Sequence, residues 1–138
     1  MKWCKFKAGD KVAYGIIEDD TVVEVEGSPF ETYSRTSNTH PLSSVKLMVP
    51  VIPSTFYAAG VVNYPEHVTW AANEVGTIPE FPDRAEMGYR ANNALIAHEE
   101  PIIIPREATE DVQYEGELVV VIGKKCRRVS EDEALDYV

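Results

Sequence analysis

Two glutamates that lie two residues apart, Glu115 and Glu117, are well suited to bind a divalent cation. They directly precede a mostly β-branched apolar run, residues 118–122, which predicts a buried strand. Side chains at positions i and i+2 of a strand point to the same face, so the two carboxylates would project together. Neighbouring carboxylates repel each other, and a hard cation relieves that repulsion by binding their oxygens. The alternative is that both glutamates reach water where the strand emerges.

A histidine at the start of a predicted helix is the candidate base. Residues 56–62 predict a small-residue strand, and Pro65 suits the first turn of a helix that can run to Gly76. His67 would then lie on the first turn, and Glu74, seven residues later, would share its helix face. Catalytic bases often occupy this kind of place; the alternative is a structural or surface histidine.

The elements around these candidates are mostly strands. Residues 11–17 and 21–25 predict a hairpin around a polar turn, whereas the Ser- and Thr-rich stretch 27–44, which includes His40, predicts a loop. Residues 94–97 and 101–105 predict a second strand pair.

The end of the chain predicts a short helix. Ser130 and Glu133 have the spacing of a capping box, and acidic residues fill the first turn. The elements together predict an α+β, β-rich fold, with a small N-terminal β domain at residues 1–50 and a second domain over residues 51–138.

Composition limits the possible partners. The formal net charge of −10 argues against nucleic acid and anionic membranes, and an anionic substrate would need a local cation such as Arg90. Cys4 and Cys126 fit no metal or redox spacing, which indicates reduced thiols. The N-terminus has no apolar signal segment and no apolar run is long enough to span a membrane, so we expect a cytoplasmic protein.

Four segments, read in order, resemble one known family. They are FYAAGVVNYPEH at residues 56–67, NALI at 93–96, PIIIP at 101–105 and YEGELVVVIGK at 114–124. Together they resemble the fumarylacetoacetate hydrolase (FAH) family, which includes 2-hydroxyhepta-2,4-diene-1,7-dioate isomerases, acylpyruvate hydrolases, oxaloacetate decarboxylases and ureidoglycolate lyases. The resemblance implies that residues 51–138 form the first part of the mixed β-sheet catalytic fold of this family.

The resemblance also implies a metal site. Glu115 and Glu117 match two of the three carboxylates that bind Mg²⁺ or Mn²⁺ in the family. The third is an aspartate that we expect beyond Val138, and we therefore expect this chain to be part of a longer protein.

Two departures from the family pattern concern the base and the substrate. His67 matches the histidine that activates water or moves the substrate proton, but Trp70 stands where the family usually has its glutamate partner. Glu74, one helical turn further along, is a candidate for a shifted partner. Arg90 stands in place of the family lysine and keeps the positive charge for a substrate carboxylate.

The resemblance implies an enzyme acting on small 2-oxo or 2-hydroxydienoic dicarboxylic acids. The reaction would be isomerization, decarboxylation or C–C bond hydrolysis through an enolate stabilised by the metal. Family members are commonly homodimers, which implies the same assembly here. The alternatives are a catalytically incompetent fragment and a binding or scaffold member of the same fold that has lost the dyad.

Overall fold

The computed structural model describes the backbone of residues 1–138 and every side chain except that of Val61. The chain divides into two compact units. Unit 1 contains Met1–Val51 and Ile96–Val138, and unit 2 contains Ile52–Leu95.

Unit 1 is built on a five-stranded antiparallel sheet. Its strands follow the order β4-β3-β2-β1-β5. Their bounds are β1 Lys2–Ala8, β2 Lys11–Glu18, β3 Thr21–Gly27, β4 Tyr33–Pro41 and β5 Lys46–Met48.

The predicted hairpin at residues 11–25 is confirmed. Strands β2 and β3 pair in register from Glu18 opposite Thr21 to Tyr14 opposite Val25. The turn between them places Asp19 at φ 49°. Aspartate tolerates this left-handed conformation better than most residues, so the acidic turn suits the tight reversal.

One buried hydrophobic cluster of unit 1 lies on one face of the sheet. Cys4, Phe6 and Val22 form its buried centre. Gly15 of β2 faces the same side, and a β-carbon added there would lie 2.5 Å from Val22 Cγ1 and 3.0 Å from Phe6 Cε1. The absence of a side chain at this position therefore lets the two large residues close over the strand.

The loop predicted for residues 27–44 is wrong, because half of it forms strand β4. Strand β4 pairs with β3 at the edge of the sheet, with a register shift between Val23 and Val25. An edge strand that faces water on one side needs few apolar residues, so its polar composition resembles that of a loop. His40 accordingly lies on a strand, where it is partly buried, rather than in a loop.

Unit 2 contains a two-stranded antiparallel sheet and the longest helix. Strand β6 (Phe56–Ala58) pairs with β7 (Gly88–Arg90), and helix α1 spans Pro65–Val75. The predicted helix is confirmed with Pro65 in its first turn and Gly76 at φ 71° as its left-handed cap. The strand predicted for residues 56–62 is correct only for β6; the side chain of Val61, which belongs to that prediction, lies outside the described residues.

The strands predicted at residues 94–97, 101–105 and 118–122 are wrong. Residues 92–94 form a single 3-10 turn, and residues 101–105 and 118–122 belong to neither sheet. Their apolar side chains are largely exposed, for example 79% at Ile103 and 84% at Leu118. Strand propensity reflects packing against neighbouring strands, and neither sheet of the described structure extends to these segments.

The helix predicted at the end of the chain is present as a 3-10 helix, Glu131–Tyr137. Ser130 Oγ donates a hydrogen bond of 2.8 Å to Glu133 Oε2, but the Ser130 side chain makes no cap hydrogen bond to the backbone, so the predicted capping box is not formed. The backbone N–H of Gly123 donates to Tyr137 O at 2.7 Å, which ties this helix to the preceding segment.

The α+β, β-rich fold class is confirmed by these elements. No helix in the part of the chain that the structure describes is long and apolar enough to cross a membrane.

Candidate functional site

His67 lies on the first turn of α1, where the sequence predicts it. Pro65, which has no backbone N–H, lies at the start of this turn, and the His67 imidazole is exposed. Its ring packs against the Trp70 indole, with ring centroids 5.6 Å apart and planes inclined by 55°. The indole is itself 59% exposed, so the pair forms an aromatic surface on the helix rather than part of a core.

Glu74 shares this helix face but stands two turns from His67. The rise of an α-helix separates the two residues by about 10 Å along the axis. In the described structure, the ring contact of His67 is with Trp70 rather than with Glu74. Trp70 occupies the intervening turn. The pairing of His67 with Glu74 stays a prediction.

Arg90 ends strand β7 and is exposed to solvent. It lies opposite Phe56 in the β6–β7 pairing. Its Nη1 donates a 3.0 Å hydrogen bond to Tyr89 O. A guanidinium carries five N–H donors in a fork, so most of them remain able to bind a carboxylate.

The same strand pair carries a tyrosine contact that the sequence does not indicate. Tyr57 and Tyr89 lie directly opposite each other, with ring centroids 4.5 Å apart. Tyr57 Oη donates a 2.9 Å hydrogen bond to Tyr89 Oη, and this bond raises the pKa of Tyr57. Finding this contact requires the pairing register of two strands that are distant in sequence, and no local pattern supplies it.

Glu115 and Glu117 are exposed and lie in a segment without regular structure. The strand that would align the two carboxylates is not formed, so their common orientation stays a prediction. Carboxylate oxygens suit Mg²⁺ and Mn²⁺ chemically, and two of them supply part of a coordination sphere. Among the residues that the structure describes, no group of three or more His, Cys, Asp or Glu side chains is placed to hold a metal ion.

A buried carboxylate in unit 1, Glu24, was not found by the sequence analysis. Glu24 of β3 is only 4% exposed, and its Oε1 accepts hydrogen bonds from Lys11 Nζ at 2.6 Å and Asn38 Nδ2 at 3.2 Å. His40 Nε2 lies 3.6 Å from Glu24 Oε2. The bond from Lys11, helped by Asn38, holds the pKa of Glu24 below its usual value despite burial. A charged residue within an apolar strand was the available signal.

Comparison with known proteins identifies the family. The sequence profile described as "Fumarylacetoacetate (FAA) hydrolase C-terminal" matches residues 56–138, which are more than half of the chain. The chain belongs to the FAH family. A second profile, "Rv2993c-like, N-terminal", matches residues 1–50.

Three curated relatives illustrate the range of the family. A caffeoylpyruvate hydrolase from Neonothopanus nambi is 45% identical over 83 residues, which are 56% of this chain and 26% of the relative. The 4-hydroxyphenylacetate degradation bifunctional isomerase/decarboxylase from Salmonella dublin is 34% identical over 137 residues, which are 96% of this chain and 27% of the relative. Protein Rv2993c from Mycobacterium tuberculosis is 30% identical over an alignment of 145 residues, which covers 100% of this chain and 52% of the relative. The chain thus spans about half of their length or less.

A solved structure supports the fold. The structure of an uncharacterized protein from Mycobacterium abscessus superimposes with a TM-score of 0.79 at 34% sequence identity. The match covers 99% of this chain and 51% of that protein. This chain therefore shares its fold with part of a solved structure.

Proposed function

We propose that the protein containing this chain is a divalent-metal-dependent FAH-family enzyme that acts on a small 2-oxo or 2-hydroxydienoic dicarboxylic acid. The observation that carries the proposal is the family match across residues 56–138, within which His67, Arg90, Glu115 and Glu117 all lie. The named relatives support a hydrolase, isomerase or decarboxylase. Caffeoylpyruvate contains a pyruvoyl group, which favours a 2-oxo acid as the reacting unit.

Each side chain has a chemical role in this proposal. Glu115 and Glu117 would hold Mg²⁺ or Mn²⁺, which when bound supplies a Lewis acid for the 2-oxo acid oxygens. The His67 imidazole removes a proton from the carbon next to the carbonyl, or from water in the hydrolytic case. Its exposed place on the first turn of α1 leaves the ring accessible to a small acid.

Arg90 selects for a second carboxylate on the substrate. Its exposed guanidinium can bind a carboxylate through two parallel hydrogen bonds. This supplies the local positive charge that an acidic protein with a formal net charge of −10 needs for a dianionic substrate.

The experiment that tests this function is a substrate panel with the whole purified protein. We expect turnover of oxaloacetate or an acylpyruvate that is abolished by a chelator and restored by Mn²⁺ or Mg²⁺. Loss of turnover in His67→Ala, with unchanged folding by circular dichroism, would support the base assignment. A protein that turns over none of these acids at any metal concentration contradicts the proposal.

A non-catalytic member of the family is the second candidate. The observation that favours it is Trp70, which packs on His67 where the family usually has the glutamate partner. This candidate predicts binding of 2-oxo acids in calorimetry without turnover.

The role of Glu74 is tested by a conservative change. Because Glu74 lies about two helical turns from His67, any effect on the imidazole must pass through an intervening group. If Glu74 is the shifted partner, Glu74→Gln lowers kcat by about 10²-fold, which is typical of a lost contribution to general base catalysis. The matched control is Glu66→Gln, an exposed glutamate on the first turn of the same helix. Equal kcat values in both variants and the wild type would exclude Glu74.

A further inference from the structure

The Asn63 side chain joins two segments of unit 2. Its Oδ1 accepts a hydrogen bond of 2.9 Å from the Glu86 backbone N–H, and its Nδ2 donates to Glu86 O at 2.7 Å. The same Nδ2 also donates to Ala59 O at 2.8 Å and lies 3.4 Å from Gly60 O. One carboxamide thus engages both backbone groups of a residue that is 23 positions away in sequence.

This contact continues the β6–β7 pairing after the backbone of β6 has turned away. The antiparallel register places Phe56 opposite Arg90 and Ala58 opposite Gly88, so Glu86 would next face Gly60. Residues 61–63 instead form a 3-10 turn that leads into α1. The Asn63 carboxamide has one donor and one acceptor side by side, as a peptide group has, and it occupies the place of the missing strand partner.

The two segments that Asn63 joins each lead to a candidate site residue. His67 follows Asn63 by four residues on α1, and Arg90 follows Glu86 by four residues on β7. We propose that Asn63 is a positioning residue that fixes strand β7, and with it Arg90, relative to the first turn of α1 and His67. The part of this inference that concerns substrate rests on the proposed function; the clamp itself does not.

Asparagine suits this position better than the residues closest to it in shape. Asparagine's Nδ2 faces three carbonyl oxygens, those of Ala59, Gly60 and Glu86. Aspartate would place a carboxylate oxygen against these carbonyls and keep only the acceptor for the Glu86 N–H. Leucine has a similar size but neither hydrogen-bonding group. Asn63→Asp therefore removes half of the clamp, and Asn63→Leu removes all of it.

Amide hydrogen exchange tests the clamp on this chain without any assay of activity. We expect the Glu86 amide to exchange at least about tenfold faster in Asn63→Leu than in the wild type, because its acceptor is lost. Exchange at Gly88–Arg90 should also rise. Asn92→Leu is the matched control, since it removes another side-chain bond to the backbone of unit 2, Asn92 Nδ2 to Pro53 O at 2.6 Å. Unchanged exchange at Glu86 in Asn63→Leu would overturn the clamp.

Substrate discrimination in the whole protein tests the positioning role. The reaction measured is the keto–enol isomerization, which both oxaloacetate and its monoester at the distal carboxylate can undergo. We expect Asn63→Asp and Asn63→Leu to lower the ratio of kcat/KM for oxaloacetate to kcat/KM for this monoester by about tenfold, because Arg90 no longer meets the distal carboxylate. A purely structural role would lower both values together and leave the ratio unchanged, which would overturn the positioning role. A wild-type protein without turnover would refute the proposed function, and the exchange result would then decide the clamp by itself.

Discussion

Glu24 is a buried carboxylate whose charge is neutralised mainly by one lysine. The Lys11 side chain is 60% exposed, whereas the Glu24 side chain is 5% exposed, so one partner of the ion pair lies at the surface and the other is buried. Thr36 Oγ1 donates to the backbone carbonyl of Glu24 at 3.1 Å and Asn38 reaches its carboxylate, both from the edge strand β4. These contacts make Glu24 a structural residue of unit 1.

We expect Glu24→Gln to lower the free energy of unfolding of unit 1 by about 1–2 kcal/mol at pH 7, because Lys11 loses its charged partner. The control is Glu18→Gln, which removes the solvent-exposed ion pair with Arg35 and should change stability by less than about 0.5 kcal/mol. Urea unfolding at pH 7 measures both. Equal stability of Glu24→Gln and the wild type would contradict the role assigned to Glu24.

The pH dependence of stability follows from the same carboxylate. The Lys11 hydrogen bond lowers the pKa of Glu24 in the folded state, so its contribution is fully present above the unfolded pKa of about 4.3 and disappears as pH falls through the folded pKa. We expect wild-type stability to fall between about pH 5 and pH 3 more steeply than that of Glu24→Gln. Parallel pH profiles of the two proteins, measured by urea unfolding, would exclude this contribution.

At the level of elements, the close approach of β2 and β3 depends on Gly15. A β-carbon at this position would meet Val22 Cγ1 and Phe6 Cε1, two of the most buried side chains of the core. We expect Gly15→Ala to destabilise unit 1 by about 1–3 kcal/mol through overpacking. Gly116→Ala is the matched control, because nothing lies within 4 Å of its β-carbon position. Thermal unfolding measures both, and equal melting temperatures would mean that the core has room at Gly15.

The elements that local pattern predicts well are those whose signals are complete within a few residues. The β2–β3 hairpin has alternating apolar residues around an acidic turn, and α1 has Pro65 at its start and Gly76 at its cap. Strand β4 was missed because its polar residues become a strand only by pairing with β3. The apolar run at residues 118–122 has the composition of a strand, but it belongs to neither sheet. Pairing partners, rather than composition, decide both cases.

The same distinction applies to the candidate site. Pro65 at the predicted helix start placed His67 on the first turn of α1, and the structure confirms this position on the helix. The Asn63–Glu86 clamp and the Tyr57–Tyr89 pair depend on contacts 23 and 32 residues apart, which no local spacing indicates. The roles of His67, Glu74, Arg90, Glu115 and Glu117 stay predictions.

At the scale of the whole molecule, family membership is established while the activity is a proposal. The chain covers 52% of the M. tuberculosis relative and 51% of the M. abscessus structure. His67, Glu74 and Arg90 belong to unit 2, and Glu115 and Glu117 belong to unit 1. The central claim is that Glu115 and Glu117 bind the metal ion on which turnover by the whole protein depends.

The metal dependence of turnover by the whole protein tests this claim most directly. The measurement is a Mn²⁺ titration of oxaloacetate or acylpyruvate turnover in the wild type, in Glu115→Ala/Glu117→Ala and in a control, Glu107→Ala/Glu110→Ala. The control removes two exposed glutamates from the same region of the chain. We predict that the first variant loses at least about 10²-fold in kcat/KM at every Mn²⁺ concentration, whereas the control retains wild-type activity. Wild-type turnover in Glu115→Ala/Glu117→Ala would contradict the account.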